Sequence, residues 1–163
     1  MTEPESIEST SLFGKTPRGT LRETFAVPVE AAGGFDMVVG ALGRRLDRLS
    51  AAPGQHNIVV EVSGSANYFV QAIVDCADGA WIEAVSNEFI PDERRRLDDA
   101  QELTLVELGF SPPAESPNFF QHVPQPVDWF VVAELVVGTL RHVYGATDTD
   151  ELVLSIYPHH RSD

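Results

Sequence analysis

Apolar residues first fall into a helical rhythm at Phe35, Val38, Val39, Leu42, Leu46 and Leu49, with Asp36, Arg44, Arg45, Asp47 and Arg48 mostly between them. Steps of three and four predict an amphipathic helix from Phe35 to Ala51, stopped by Pro53 and Gly54. A short apolar piece, Phe25, Val27 and Val29, precedes it as an extended lead-in. Three runs follow, Asn57 to Val62, Asn67 to Asp75 and Ala80 to Ser86. Ile58, Val60 and Val62 alternate with Asn57, Val59 and Glu61, and Tyr68, Val70, Ala72 and Val74 alternate with Asn67, Phe69, Gln71 and Ile73. Period two with β-branched and aromatic enrichment predicts strands. The connections Ser63-Gly64-Ser65 and Cys76-Ala77-Asp78-Gly79 are hairpin length, so the three runs form an antiparallel meander.

Beyond Pro91, the segment Asp92 to Phe110 is charged first and apolar later, with Leu97, Ala100, Leu103, Val106 and Leu108 leading to Gly109. It reads as a helix with Gly109 just past its end. Asn118 to Val123, bracketed by prolines, has room for one short strand. From Pro126 a long helix carries Val127, Phe130, Val131, Leu135, Val136, Leu140 and Val143 and ends at Gly145. Glu151 to Tyr157 reads as a last strand. The order α-βββ-α-β-α-(β) predicts an α+β fold: a three-stranded antiparallel meander plus one or two further strands, with helices packed on one face. Residues 1–24 have few apolar positions and no period, and are expected to be a disordered or loosely attached tail. Residues 25–158 then form a single domain and 159–163 a flexible end.

Both faces of the meander carry apolar residues, with Phe69, Ile73, Trp81 and Val85 on the side expected to be less buried. Adjacent aromatic pairs recur at Phe119-Phe120 and Trp129-Phe130. One account packs half of each pair into the core and caps it with the other. A sharper one joins Phe69, Trp81 and Phe119 or Phe120 into an exposed apolar groove, which marks a protein-binding surface. Such a groove suits an extended or amphipathic client segment, or a second copy of the chain.

Charge narrows the choice of partner. Eleven basic against 25 acidic residues give a formal charge of −14, and a field of that sign repels phosphate backbones and anionic headgroups. DNA, RNA and membrane surfaces are therefore excluded as expected partners. The start of the chain, with Glu3, Glu5 and Glu8, lacks the apolar stretch of a secretory signal, and no apolar run approaches the roughly 20 residues of a membrane span. A length of 163 residues, 43% of them hydrophobic, fits one domain with its own core. One cysteine leaves no internal disulfide. These features describe an acidic, cytoplasmic protein. Lys15 is the only lysine, and the arginine-, alanine-, valine- and glycine-rich usage suggests a GC-rich bacterial source.

Candidate chemistry is sparse. Cys76 lies beside Asp75 and Asp78, and carboxylates raise a thiol's pKa where a nucleophile needs it lowered. His56, His122 and His142 belong to no ligand-spaced pattern, and His159-His160 sits at the chain end, so no metal or cofactor is expected. A hydrolase using Cys76 with His122 or His142 as base remains an alternative resting only on residue types. Arg94-Arg95-Arg96 reads as a solvated helix face paired with Asp98, Asp99 and Glu102. Gly33-Gly34 and Gly64 lack the context of a phosphate cradle, and Asp148, Asp150 and Glu151 lack the glycine and distal glutamate of a calcium loop.

Glu107-Leu108-Gly109-Phe110-Ser111-Pro112-Pro113, then Ser116-Pro117-Asn118-Phe119-Phe120, then Val123-Pro124 and a helix ending Thr139-Leu140-Arg141-His142-Val143-Tyr144-Gly145 form a recognisable series. With Tyr68-Phe69-Val70-Gln71 and Trp81-Ile82-Glu83-Ala84-Val85-Ser86 upstream, this resembles actinobacterial members of the YbjN-like, type III secretion chaperone-like group of peptide-binding chaperones. The likeness covers roughly Gly34 to Gly145. It implies helices on one side of an antiparallel sheet, no catalysis, and binding of a client protein or peptide, such as a type III-like or type VII secretion substrate, often by a homodimer. The N-terminal tail and the strand-like segment Glu151 to Tyr157 depart from the pattern. Phe69, Trp81, Phe119, Phe120 and Trp129 are the expected client-binding residues, with an acidic rim. A toxin-neutralising or purely dimerising acidic module shares every compositional feature.

Overall fold

The computed structural model describes residues 23–65 and 67–159. The expected tail thus lies, apart from Glu23 and Thr24, outside the described residues, as does most of the expected flexible end. Ten elements follow in order: β1 (Glu23–Pro28), α1 (Val29–Ala32), α2 (Phe35–Ala51), β2 (Gln55–Val62), β3 (Phe69–Asp75), β4 (Gly79–Ala84), α3 (Asp99–Glu107), β5 (Phe119–Val123), α4 (Trp129–His142) and β6 (Glu151–His159). The strands make one six-stranded sheet in the order β1-β6-β2-β3-β4-β5, every neighbour antiparallel. The expected α+β architecture holds; Glu151 to Tyr157 is a strand, and of the expected lead-in Phe25 and Val27 lie in strand β1 while Val29 opens helix α1.

Helices α2 and α4 pack against each other and onto β2 and β3. Their apolar stripes supply Phe35, Val38, Leu42 and Leu46 from α2 and Val132, Val136, Val137 and Leu140 from α4, all buried. The sheet answers with the alternate residues Ile58, Val60, Val70, Ala72, Val74, Ala80, Ile82, Leu152, Leu154 and Ile156, also buried. Side chains alternate along a strand, so the residues between these belong to the opposite, helix-free face. Small residues on β4 (Ala80, Ala84) and β3 (Ala72) let the helix pair approach closely. At the start of β4, Gly79 has φ 95° and a β-carbon there would run into the Val123 carbonyl oxygen, so no side chain fits.

The region between β4 and β5 departs from expectation. The long helix predicted from Asp92 is a 3-10 turn at Glu93–Arg95 followed, after extended residues, by the short α3. Asp92 accepts from the Arg94 amide and closes the first turn; Asp98 then starts α3 with a reciprocal capping box, accepting from the Gln101 amide while the Gln101 side chain accepts from the Asp98 amide. Starting at Asp98 also changes which face is buried. Leu105 is the anchor, with Phe110 behind it, and Leu103, Val106 and Leu108, expected inside, are exposed. The arginine triplet does not pair with Asp98, Asp99 or Glu102 among the described residues: Arg94 pairs with Asp92, Arg96 Nε donates to the Ile90 carbonyl, and the Arg95 carbonyl accepts from Tyr68 Oη. Similarly, α4 starts at Trp129, because the Asp128 carboxylate caps the amides of Phe130 and Val131.

Candidate binding face

Register assigns the helix-free face row by row. One row crosses five strands as Tyr157, Asn57, Ile73, Trp81 and His122; the next runs Ser155, Val59, Gln71, Glu83 and Phe120; a third begins Val153, Glu61 and Phe69. Directly opposed residues of an antiparallel pair share a face, so these side chains form one continuous floor.

At the β4–β5 end this floor is open. Trp81 is 44% exposed. His122 stacks on it, ring centroids 4.2 Å apart and planes 20° from parallel, while its Nε2 lies 2.9 Å from the Asp78 carbonyl. Ile73 and Phe120 flank the pair, both half-buried. A polar line runs alongside: Asn57 Nδ2 donates to Gln71 Oε1 at 3.4 Å, Gln71 Nε2 donates to Glu83, and Ser116 Oγ donates to the other Glu83 oxygen at 3.1 Å. Each amide and carboxylate is thereby oriented, leaving an apolar and aromatic strip bordered by Glu83, with Glu61 farther off on β2 beside Phe69. Burial pushes the Glu61 carboxyl above its ordinary value.

Toward β2 and β6 the same face is closed. Val59 is 1%, Asn57 4% and Tyr157 5% exposed, although α2 and α4 pack on the other side. Asn57 Oδ1 is buried with no hydrogen-bond partner among the described residues.

Of the five aromatic residues expected to bind a client, Trp81 and Phe120 lie on this face with exposed surface. Phe69 shares the face but is buried, and Val85, expected with it, is buried too; alternation placed them on the correct side and overlooked what closes it. Phe119 is opposite Ala84 on the helix side and is buried, and Trp129 is buried at the start of α4. Of the expected groove of Phe69, Trp81 and Phe119 or Phe120, the structure places Trp81 and Phe120 together on the open face, with Phe69 buried on the same face. His122, Asn57 and Tyr157 were missed as parts of the floor; for His122 the available signal was its place two residues after Phe120 on one strand.

A second concavity, a cleft of about 520 Å³, lies between α3 and the loop before β5. Leu103, Val106, Pro112 and Pro113 line it, with Asp99 and Glu102 among its polar groups.

Cys76 is exposed on the β3–β4 turn, and among the described residues its thiol makes no hydrogen bond to a histidine while the His122 Nε2 is engaged by Asp78. No group of three or more His, Cys, Asp or Glu side chains among the described residues is placed to hold a metal ion. No helix among them is long and apolar enough to cross a membrane.

A family model described as T3SS (YopN, CesT) and YbjN peptide-binding chaperone 3 matches residues 40–157. That span runs from within α2 to within β6 and takes in both halves of the helix-free face. No curated protein and no solved structure matches the chain.

Proposed function

Because the chain belongs to the family of type III secretion (YopN, CesT) and YbjN peptide-binding chaperones, we propose that it holds an extended client segment against the open end of its helix-free sheet face, without catalysis. The observation that carries this reading is the Trp81–His122 stack, exposed beside Ile73 and Phe120 and bordered by Glu83 in the adjacent row. Aromatic surface with a polar handle is the usual anchor of an interface. Acidic neighbours on an aromatic strip favour a client with arginine or lysine between apolar residues, since an extended chain presents alternate side chains to a surface.

In this reading the client is another cytoplasmic protein of the same cell, a substrate of a type III-like or type VII secretion system, and the chaperone works as a homodimer. Its net charge of −14 keeps the loaded complex soluble while the apolar strip is occupied. The cysteine hydrolase has less support, since Cys76 and His122 are not joined by a hydrogen bond and His122 is committed to Trp81 and Asp78.

Fluorescence anisotropy with a labelled peptide of alternating leucine and arginine tests the location. Trp81→Ala is expected to weaken binding at least about tenfold, as loss of an aromatic anchor does. Full affinity in Trp81→Ala, with loss in Leu103→Asp, would move the client to the cleft beside α3. No binding by the unaltered protein, or equal binding of an acidic leucine–glutamate peptide, would remove the proposed chemistry altogether.

A further inference from the structure

The closed half of the helix-free face poses a specific question: Val59, Asn57 and Tyr157 are nearly inaccessible on the side of the sheet that α2 and α4 leave bare. Asn57 Oδ1, buried there without a partner among the described residues, calls for a hydrogen-bond donor. The occupant should therefore be apolar where it meets Val59 and Tyr157, should offer N–H groups, and should carry positive charge toward Glu83 and Asp75.

We propose that residues 11–22 of this chain dock on the closed half of the helix-free face, beside the open Trp81 end, as a built-in occupant that a client extending from Trp81 toward β2 must displace. The docking stands on its own; the displacement rests on the client-binding reading above.

Charge singles this segment out. Residues 11–22 contain Lys15, Arg18 and Arg22 and no acid, in a chain whose formal charge is −14, and they intersperse Leu12, Phe13 and Leu21. Residues 1–10, by contrast, contain Glu3, Glu5 and Glu8 and no base. The basic and apolar part thus lies next to the fold and the acidic part beyond it.

Reach permits the docking. The described chain begins at Glu23, opposite Ile156 on β6, at the edge of the sheet adjoining the closed half. From β1 to β4 there are four interstrand steps of about 4.8 Å, or roughly 19 Å. Twelve extended residues span up to about 40 Å at roughly 3.3 Å each. The segment is therefore long enough to cross β6 and β2 and cover Tyr157, Asn57 and Val59. An occupant tethered this way competes at a high effective concentration, so only clients with a better apolar and basic match open the face.

Cys76 provides the test in the full-length protein: it is the only cysteine, exposed, on the turn between β3 and β4. A nitroxide attached there should broaden the amide resonances of residues 11–22, so that they lose most of their intensity relative to the reduced label, while residues 1–10 are less affected. Phe13→Asp combined with Lys15→Glu should restore the lost intensity. Undiminished resonances for 11–22 beside the oxidised label would overturn the docking. So would broadening that appears only when labelled and isotope-enriched molecules are mixed, which assigns the occupant to a second copy. If docking is seen but the leucine–arginine peptide leaves the broadening unchanged, the displacement fails and the docking stands.

Discussion

Phe130 lies over Gly43 so closely that a β-carbon on the glycine would sit 2.5 Å from the Phe130 Cδ1 atom. The pair sets how near α2 and α4 can come, and therefore how evenly the two helices cover β2 and β3. Gly43→Ala pits a helix-propensity gain of about 1 kcal/mol against an overpacking cost of about 1–3 kcal/mol. A net loss of about 1 kcal/mol is expected in urea denaturation. In a Phe130→Ala background the same change should become neutral or stabilising, and an unchanged penalty there would place the clash elsewhere.

Trp81 and His122 should be coupled to each other and nearly silent in stability. Trp81 lies on the surface end of the sheet, so replacing it is expected to cost less than about 1 kcal/mol. Their stacked geometry should give a double-mutant coupling of about 0.5–1.5 kcal/mol, the range for paired rings. Measured through leucine–arginine peptide affinity, His122→Ala should weaken binding less than Trp81→Ala does, because His122 positions the indole. Equal losses would make His122 a contact in its own right.

His56 is the opposite case: 5% exposed on β2, with both ring nitrogens unpartnered among the described residues. Register places it beside Val74 on the helix side of the sheet. A buried polar group without a partner costs about 1–3 kcal/mol, and His56→Leu removes that cost while keeping apolar volume. The expected result is a gain of about 1 kcal/mol or more in urea denaturation, with peptide affinity unchanged. Destabilisation would reveal a hydrogen bond that this arrangement lacks.

How much of this was legible follows from the range of each signal. Period-two alternation identified the meander because each of its hairpins is closed by a few residues, and three-four spacing identified α2 within a residue. The insertion of β6 between β1 and β2 was not legible, since no local pattern encodes a pairing of Ile58 with Ile156. For α3 the signal was present but outweighed: Asp98 and Gln101 have capping-box spacing, yet the charged run from Asp92 to Arg96 was absorbed into one longer helix. The side of the sheet that Phe69 occupies was legible and its burial was not, because alternation gives a face and says nothing of what lies on it. Phe120 faces the open side and Phe119 and Trp129 are buried; of two adjacent aromatics, sequence alone does not say which points inward.

Glu61 ties the binding face to pH. It stands opposite Phe69 and Val153 on the helix-free face, and burial raises its carboxyl above the ordinary value of 4.5. The folded protein therefore retains this proton over a pH range in which the unfolded chain has released it. In that range the native state binds more protons, and stability falls as pH rises from about 4.5 through the folded value. Below that window Glu61 is neutral in both states and contributes no penalty; above it the penalty is complete. Because the carboxyl keeps part of its contact with water, the effect is a fraction of a kcal/mol. Glu61→Gln should accordingly raise the urea midpoint at pH 7, leave it unchanged near pH 4, and flatten the profile between. A lower midpoint at pH 7 would mean that the carboxylate is held in its charged form by a cation, reversing the assigned cause.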